Sequence, residues 1–477
     1  MSQDKGSDLV EGLGLREALA IVVGRIIGSG IFRTPGPMML AVAGLDAGQN
    51  YAPGSLSPQQ MSVGLFLLAW VIGGVATILA SLCYAELVAM LPRSGGPYAY
   101  LKEAYSDLWA FLRGWAMFFV SETASIVAVA LVFSEYGAYA LKTATGIEAG
   151  TWGEAGVALA IILALTLANS FGVFASGILQ DVLSFLKVFA LIVLVLTCFS
   201  AQGDVAHFTS NVWPEQWGWG TMFGMAAALR YGFFAYSGWE GATYVAEEVR
   251  NPRKNLPLSL LLGVCGVMCI YLLVNGAYLY QLDAVSIALA RKEISARAME
   301  AAIGTAGGLF IAGAVMLSTF GNVSTQIMVK ARTWHAMARD GLFFSVAAKT
   351  SPRFRTPNRA LWLQALWASI LLIAATLAGG KYERIIDFFT FTSYIFNLST
   401  ILAVWVLRVR KPGLARPFRI PFFYITVPLT LAIYGWFTLA TLIDRPLESM
   451  LGVLLTLLGL LFYFWKKRQT GIKAEPV

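Results

Sequence analysis

Along the chain, apolar runs long enough to cross a bilayer alternate with short polar breaks marked by Gly and Pro. The runs fall at 15–42, 63–91, 107–140, 155–171, 182–201, 221–247, 257–282, 303–337, 360–378, 386–407, 421–443 and 447–465. A helix needs about 20 such residues to span the hydrocarbon core. The pattern therefore predicts an all-α integral membrane protein of twelve transmembrane helices, with no room for a soluble domain. Breaks at 48–60, 251–257 and 411–419 are the clearest.

Two runs are not ordinary apolar helices. The first contains Gly24-Arg25-Ile26-Ile27-Gly28-Ser29-Gly30-Ile31-Phe32, and the sixth contains Phe234-Ala235-Tyr236-Ser237-Gly238-Trp239. Gly at mid-depth costs a helix about 1 kcal/mol relative to Ala. Unwinding there frees backbone groups that lipid cannot satisfy and a polar ligand can. The N-terminus of the following half-helix suits a carboxylate, and the freed carbonyls of the preceding half suit an ammonium or a cation. A face of small residues for helix packing is the competing reading of either motif alone. Gly30 and Gly238 stand five spans apart, an odd number, so the second unit enters the membrane upside down relative to the first. The expectation is an inverted 5+5 repeat with the site at its interface. On that scheme residues 15–201 and 202–407 are the two repeats and 408–466 are helices 11 and 12. The tails are 1–14 and 467–477.

Charge sets the orientation. With the N-terminus inside, and with Arg16, Lys330 and Arg332 at the inner span ends counted with the loops they adjoin, cytoplasmic segments hold 23 Lys and Arg, outer loops hold 7, and five lie deeper within spans. That asymmetry places both termini in the cytoplasm. The net charge of +8 then reads as cationic inner loops rather than a nucleic-acid surface. Composition agrees: 57% of residues are hydrophobic and 13% charged, against about 25% charged in soluble domains. Cys83, Cys198, Cys265 and Cys269 form no CxxC pair and sit with only two His, so neither a metal site nor a disulfide framework is expected, and no cofactor. Residues 1–11 are polar and acidic, without the features of a cleavable leader. No GxSxG, HExxH or P-loop argues for an enzyme.

These residues bring a family into view. The chain resembles the amino acid–polyamine–organocation superfamily, and within it the L-type amino-acid transporter branch and its bacterial relatives. Four places carry the likeness: Val23 to Phe32; Phe234 to Trp239 with Glu247-Glu248-Val249-Arg250-Asn251-Pro252 and Asn255-Leu256-Pro257; Tyr84-Ala85-Glu86-Leu87 through Pro92-Arg93-Ser94-Gly95-Gly96 to Tyr98-Ala99-Tyr100; and Leu317-Ser318-Thr319-Phe320-Gly321 with Arg332 and Arg339-Asp340-Gly341. The resemblance implies two inverted five-helix repeats, alternating access and an L-amino-acid substrate. The substrate carboxylate would meet N–H groups around Ser29, Gly30 and Ile31. Its ammonium would meet carbonyls near Ile27 and around Phe234, Ala235 and Ser237. Gly28, Tyr236 and Gly238 complete the expected site, with Phe234 as an aromatic gate.

A Lys inside a span is a functional candidate by default, though one near a helix end can snorkel. In the resembling family a lysine at the place of Lys187 stands in for a sodium ion. It is therefore expected to join the Gly28 region to Ser318 and make transport sodium-independent. Exchange of amino acids is the favoured reading, with proton-coupled symport of an amino acid or amine as the alternative.

Three residues depart from the family pattern: Arg25 where a small polar residue is usual, Glu122 where an Arg is common, and Arg230 where an uncharged residue is usual. Buried charges need partners, so Glu122 is expected to pair with Arg25 or Arg230. The other reading leaves Arg25 free for an acidic or amide substrate side chain. Glu247, Glu248, Arg332 and Arg339 form a candidate inner charge gate, with simple surface solvation the alternative. The outer loop 43–62 reads as a linker rather than a cap. Because 141–154 contain no cysteine, a disulfide-linked heavy chain of the vertebrate kind is not expected.

Overall fold

The computed structural model describes residues 12–470 apart from 47, 48, 50, 53, 94, 172, 291, 292, 355, 378, 380 and 381, and gives no side chains at 173–183, 382–389 or 470. The tails 1–11 and 471–477, Ser94 of the second-to-third-span motif, and the side chains just before Ser184 thus lie outside the described residues. No β-strand occurs among the described residues. Nine helices there are long and apolar enough to cross a membrane.

Each expected span falls on a helix or on a run of helical pieces. The first is broken into α1 (Leu15–Ile26), α2 (Gly30–Arg33) and α3 (Pro35–Val42). Then come α4 (Val63–Met90), a short α5 (Pro97–Ala104), α6 (Asp107–Ala116) and α7 (Glu122–Thr145), the last two joined through a π-helical turn at Met117–Ser121. After α8 (Thr151–Ser170) and α9 (Val173–Ser200), a single turn α10 (Ala206–Thr209) leads into the second broken span. That span is α11 (Trp219–Ala235) followed by a 3₁₀ segment, Trp239–Glu248. The chain continues as α12 (Pro252–Gln281), α13 (Ala284–Ala290), α14 (Ile294–Ile303), α15 (Thr305–Arg339), α16 (Asn358–Leu377), α17 (Tyr382–Arg410), α18 (Phe423–Asp444) and α19 (Pro446–Thr470).

Local chemistry explains the starts. Ser62 and Ser106 cap α4 and α6 by accepting from Leu65 N and Trp109 N, each at 3.3 Å. At α1 the carboxylate of Glu17 reaches back to Gly14 N at 2.7 Å. Large side chains such as Phe185, Leu196, Leu366, Ile443 and Leu461 are exposed on α9, α16, α18 and α19. Lipid, not water, suits such a surface. The interior is packed by α1, α4, α7, α11, α12 and α15, with Trp70, Tyr236 and Tyr271 meeting edge-on or tilted at ring distances of 5.2–5.9 Å.

Two stretches read as connections are structured. Residues 283–302 carry α13 and α14, and Ser295 of α14 shares a 2.8 Å hydrogen bond with Tyr136. The outer loop 43–62 is tied down rather than loose in its described residues. Asn211 Nδ2 donates to Gln59 O (2.7 Å) and Met61 O (3.0 Å), Ser62 donates to Val212 O (2.8 Å), and Arg445 pairs with Asp46 at 2.8 Å. Side-chain amides and charges supply these ties, and a hydropathy pattern does not register them.

Glu86 is a buried fastening between three stretches of the chain. It is fully buried, and takes Arg408 Nε and Nη2 at 2.8 and 2.6 Å and Ile420 N at 2.8 Å. This joins the end of α4 to the end of α17 and the chain entering α18. Glu86→Gln is expected to cost about 2–4 kcal/mol, because it leaves a guanidinium with a neutral partner in a largely dry site. A thermal midpoint several degrees lower in detergent is the check; an unchanged midpoint would show the pair to be idle.

Candidate functional site

The two broken spans meet each other. A Cβ built on Gly30 would lie 2.4 Å from Ala235 Cα, so α2 and the end of α11 touch backbone to backbone. Gly238 adopts a left-handed φ of +96°, which lets the chain turn out of α11 into the 3₁₀ segment. Tyr271 of α12 bridges both breaks, its hydroxyl lying 2.9 Å from Ile26 O and 3.1 Å from Ala235 O.

The fate of the freed carbonyls can be followed one by one. Gly28 N turns back to Ile26 O at 2.8 Å instead of continuing to Gly24 O. Gly24 O is met by Lys187 Nζ at 2.7 Å and by Asn322 Nδ2 at 3.4 Å, and Arg25 O by Asn322 Nδ2 at 2.9 Å. Among the described residues Ile27 O receives no hydrogen bond, and the N–H groups of Ser29, Gly30 and Ile31 have no partner outside the helix they open. Ser29 Oγ is buried without a partner. One acceptor and a set of donors at the break are therefore without a backbone hydrogen bond among the described residues. On the other span, Phe234 O already accepts from Ser237 N and Oγ at 3.0 and 2.7 Å, which takes up both lone pairs, and Ala235 O accepts from Tyr271, which leaves one.

A cavity lies against these breaks. Its wall includes Arg25, Gly28, Ser29, Gly30, Glu122, Arg230, Phe234, Ser237 and Gly238, all singled out from the sequence. Ile27, Ile31, Ala235 and Tyr236 do not line it. Tyr236 is turned away, fully buried with its hydroxyl on Trp70 O at 3.2 Å. The wall also holds Arg113, Glu240, Asn322, Gln326 and Asn397, which the sequence reading did not select. Asn322 and Gln326, one turn apart on α15 and joined at 2.6 Å, could have been found as a polar pair inside an apolar run.

Three expected pairings differ. Lys187 reaches Gly24 rather than the Gly28 region, because the turn at Gly28 releases that carbonyl. Ser318 Oγ stays buried without a hydrogen-bond partner, so the second contact expected of Lys187 is not made. Glu122 pairs with Lys330 of α15, and not with Arg25 or Arg230. Lys330, counted from sequence with the cytoplasmic charges, is fully buried there. Arg230 pairs with Asp444 at 2.6 Å. Arg25 makes no ion pair among the described residues.

At the end of the sixth span Arg332 Nε donates to Glu248 Oε1 at 3.0 Å. Glu248 O also holds Gly12 N and Leu13 N at 3.0 Å, and Arg250 N returns to Leu13 O at 2.7 Å, so the start of the described chain is stitched to the end of the sixth span. Arg339 makes no ion pair among the described residues. Nearby, Asp340 accepts from Tyr98 (2.7 Å) and Lys102 (2.8 Å). Burial works against the Lys102 charge, but the hydrogen bond and field of Asp340, helped by Asp107, prevail and raise its pKa.

An all-helical membrane bundle with a polar cavity where two broken helices meet defines a transporter rather than an enzyme. The family model of the amino acid permeases matches residues 13–468. The chain is 29% identical over 469 residues to the human b(0,+)-type amino acid transporter 1, covering 97% of this chain and 89% of that one. It is 30% identical to the mouse Asc-type amino acid transporter 1 (95% and 80%) and to the serine/threonine exchanger SteT of Bacillus subtilis strain 168 (98% and 100%). The chain belongs to the amino acid permease family, as a multi-pass membrane transporter.

Proposed function

We propose that this protein exchanges L-amino acids across the cell membrane by alternating access, without sodium and with both termini in the cytoplasm. The observation that carries the reading is the break at 27–31. There an unfilled carbonyl and a set of open N–H groups stand together, the two halves of a zwitterion's requirement. The two motifs five spans apart support an inverted repeat, with the substrate held between Ile27–Ile31 and Phe234–Gly238. Lys187 occupies a carbonyl of the broken helix with a fixed ammonium, a place a mobile cation could otherwise take. Arg332 and Glu248 act as an inner gate that must part for release. Transport is proposed to need no disulfide-linked heavy chain. The names of the relatives, among them an exchanger of serine and threonine, agree with this reading.

A second reading has one observation in its favour. The only partners of the buried Lys187 ammonium among the described residues are neutral, so a proton lost and regained there would couple transport to pH. Purified protein in liposomes separates the two. Exchange predicts that labelled amino acid enters only vesicles preloaded with amino acid, whatever the sodium or pH gradient. Accumulation in empty vesicles driven by an inward proton gradient would overturn exchange in favour of symport.

A further inference from the structure

Two cations in the cavity wall make no ion pair among the described residues. Arg25 is 5% exposed and Arg113 2%, and Nε and Nη1 of each are buried without a hydrogen-bond partner. Each lies near an aromatic ring: Arg25 Cζ is 6.0 Å from the centre of the Tyr244 ring, and Arg113 Cζ 5.8 Å from that of Phe396. An aromatic face relieves a buried cation only in part, and removing such an ion from water costs more than that. The other ionised groups of the wall do not make up the difference. Glu122 is committed to Lys330 and Arg230 to Asp444. Glu240 is the remaining carboxylate, without an ion pair among the described residues, so two arginines face one acid.

That balance discriminates among substrates. A plain zwitterion leaves the excess positive charge in place, and a cationic side chain adds to it. A side-chain carboxylate cancels it. Arg25 stands in the last turn of α1, two residues before the break, and lines the same cavity as Ser29 and Gly30. The guanidinium fork is also the group best shaped for a carboxylate.

We infer that Arg25 and Arg113 form an anion subsite for the substrate side chain, and that the preferred substrates are amino acids with a second carboxylate. This rests on the break at 27–31 being the zwitterion site. A neutral substrate leaves both guanidiniums dry and unpaired, and a site built for such a partner discriminates strongly against substrates lacking it.

The test uses the full-length protein in liposomes preloaded with L-glutamate, L-serine or L-lysine, followed by labelled uptake. Glutamate and aspartate are expected to exchange with half-saturation at least about tenfold lower than serine, and lysine not at all. Arg25→Gln and Arg113→Gln should each lower the preference for glutamate over serine about tenfold or more. Serine exchange by the native protein without glutamate or aspartate exchange would overturn the subsite and leave the transporter reading standing. Unchanged glutamate kinetics in both variants, or equal loss of serine and glutamate in both, would overturn it too. No flux of any amino acid by the folded native protein would sink the transporter reading itself. Because a variant can misfold, displacement of bound labelled serine by glutamate is also measured on the native protein, where failure of glutamate to compete counts against the subsite.

Discussion

Replacing Lys187 with Met lowers exchange about 10- to 100-fold while leaving the protein folded and inserted. The magnitude follows from removing one charge-assisted hydrogen bond from a dry site, about 1.5–3 kcal/mol. The reason lies in the carbonyls of α1. In a continuous helix Gly24 O would take Gly28 N; here that amide has turned to Ile26 O, and Lys187 fills the vacancy at 2.7 Å. Asn322 does the same for Arg25 O and Tyr271 for Ile26 O. Three helices thus hold the broken end by side-chain donors, and among the described residues Ile27 O is the one of these last carbonyls without a hydrogen bond. Met keeps the volume of Lys187 and removes only the donor. Arg should rescue poorly, since its planar fork cannot place one point charge on a single oxygen. Initial rates of counterflow, with size-exclusion profiles matched to the native protein, measure the effect. Native rates for Lys187→Met would show that the break holds its shape without this contact.

How much of this was legible in the sequence differs by element. The spans were, because hydropathy over 20 residues is a strong signal and lipid leaves backbone few choices. The two breaks were too, since Gly and Ser at mid-depth have few other uses. The partners of buried charges were not. Glu122 was matched with Arg25 or Arg230 because those cations stood out in their runs. Lys330, near the inner end of a 35-residue helix, looked like one more cytoplasmic lysine. The π turn at Met117–Ser121 immediately precedes Glu122 and sets the direction of α7, and no periodicity announces such a turn. The motif puts Tyr236 in the site, whereas its ring packs on Trp70 and Tyr271 with the hydroxyl on Trp70 O, away from the cavity wall. Spacing reports neighbours along a helix but not the angle at which a broken helix resumes.

Gly30→Val abolishes transport and destabilises the protein, and Gly30→Ala does both to a lesser degree. The added Cβ would sit 2.4 Å from Ala235 Cα and 2.7 Å from its Cβ, distances that real Cβ contacts do not reach. The obstacle is backbone, so no rotamer change relieves it, and α2 must move off α11. Such overpacking costs about 1–3 kcal/mol for a methyl group, and the larger valine adds to it. Function should suffer more than stability, because Tyr271 spans the two breaks through Ile26 O and Ala235 O and cannot hold both once they separate. Gly28 provides the control. A Cβ there meets Asn322 Nδ2 at 2.6 Å, the tip of a side chain that can rotate at the expense of its bond to Arg25 O. Gly28→Ala should therefore unfold nearer the native temperature than Gly30→Ala, while still slowing exchange. Thermal midpoints and counterflow rates for both variants test the order. A Gly30→Ala protein that matches Gly28→Ala in midpoint would mean that the two breaks are not in backbone contact, and the shared site would lose its support.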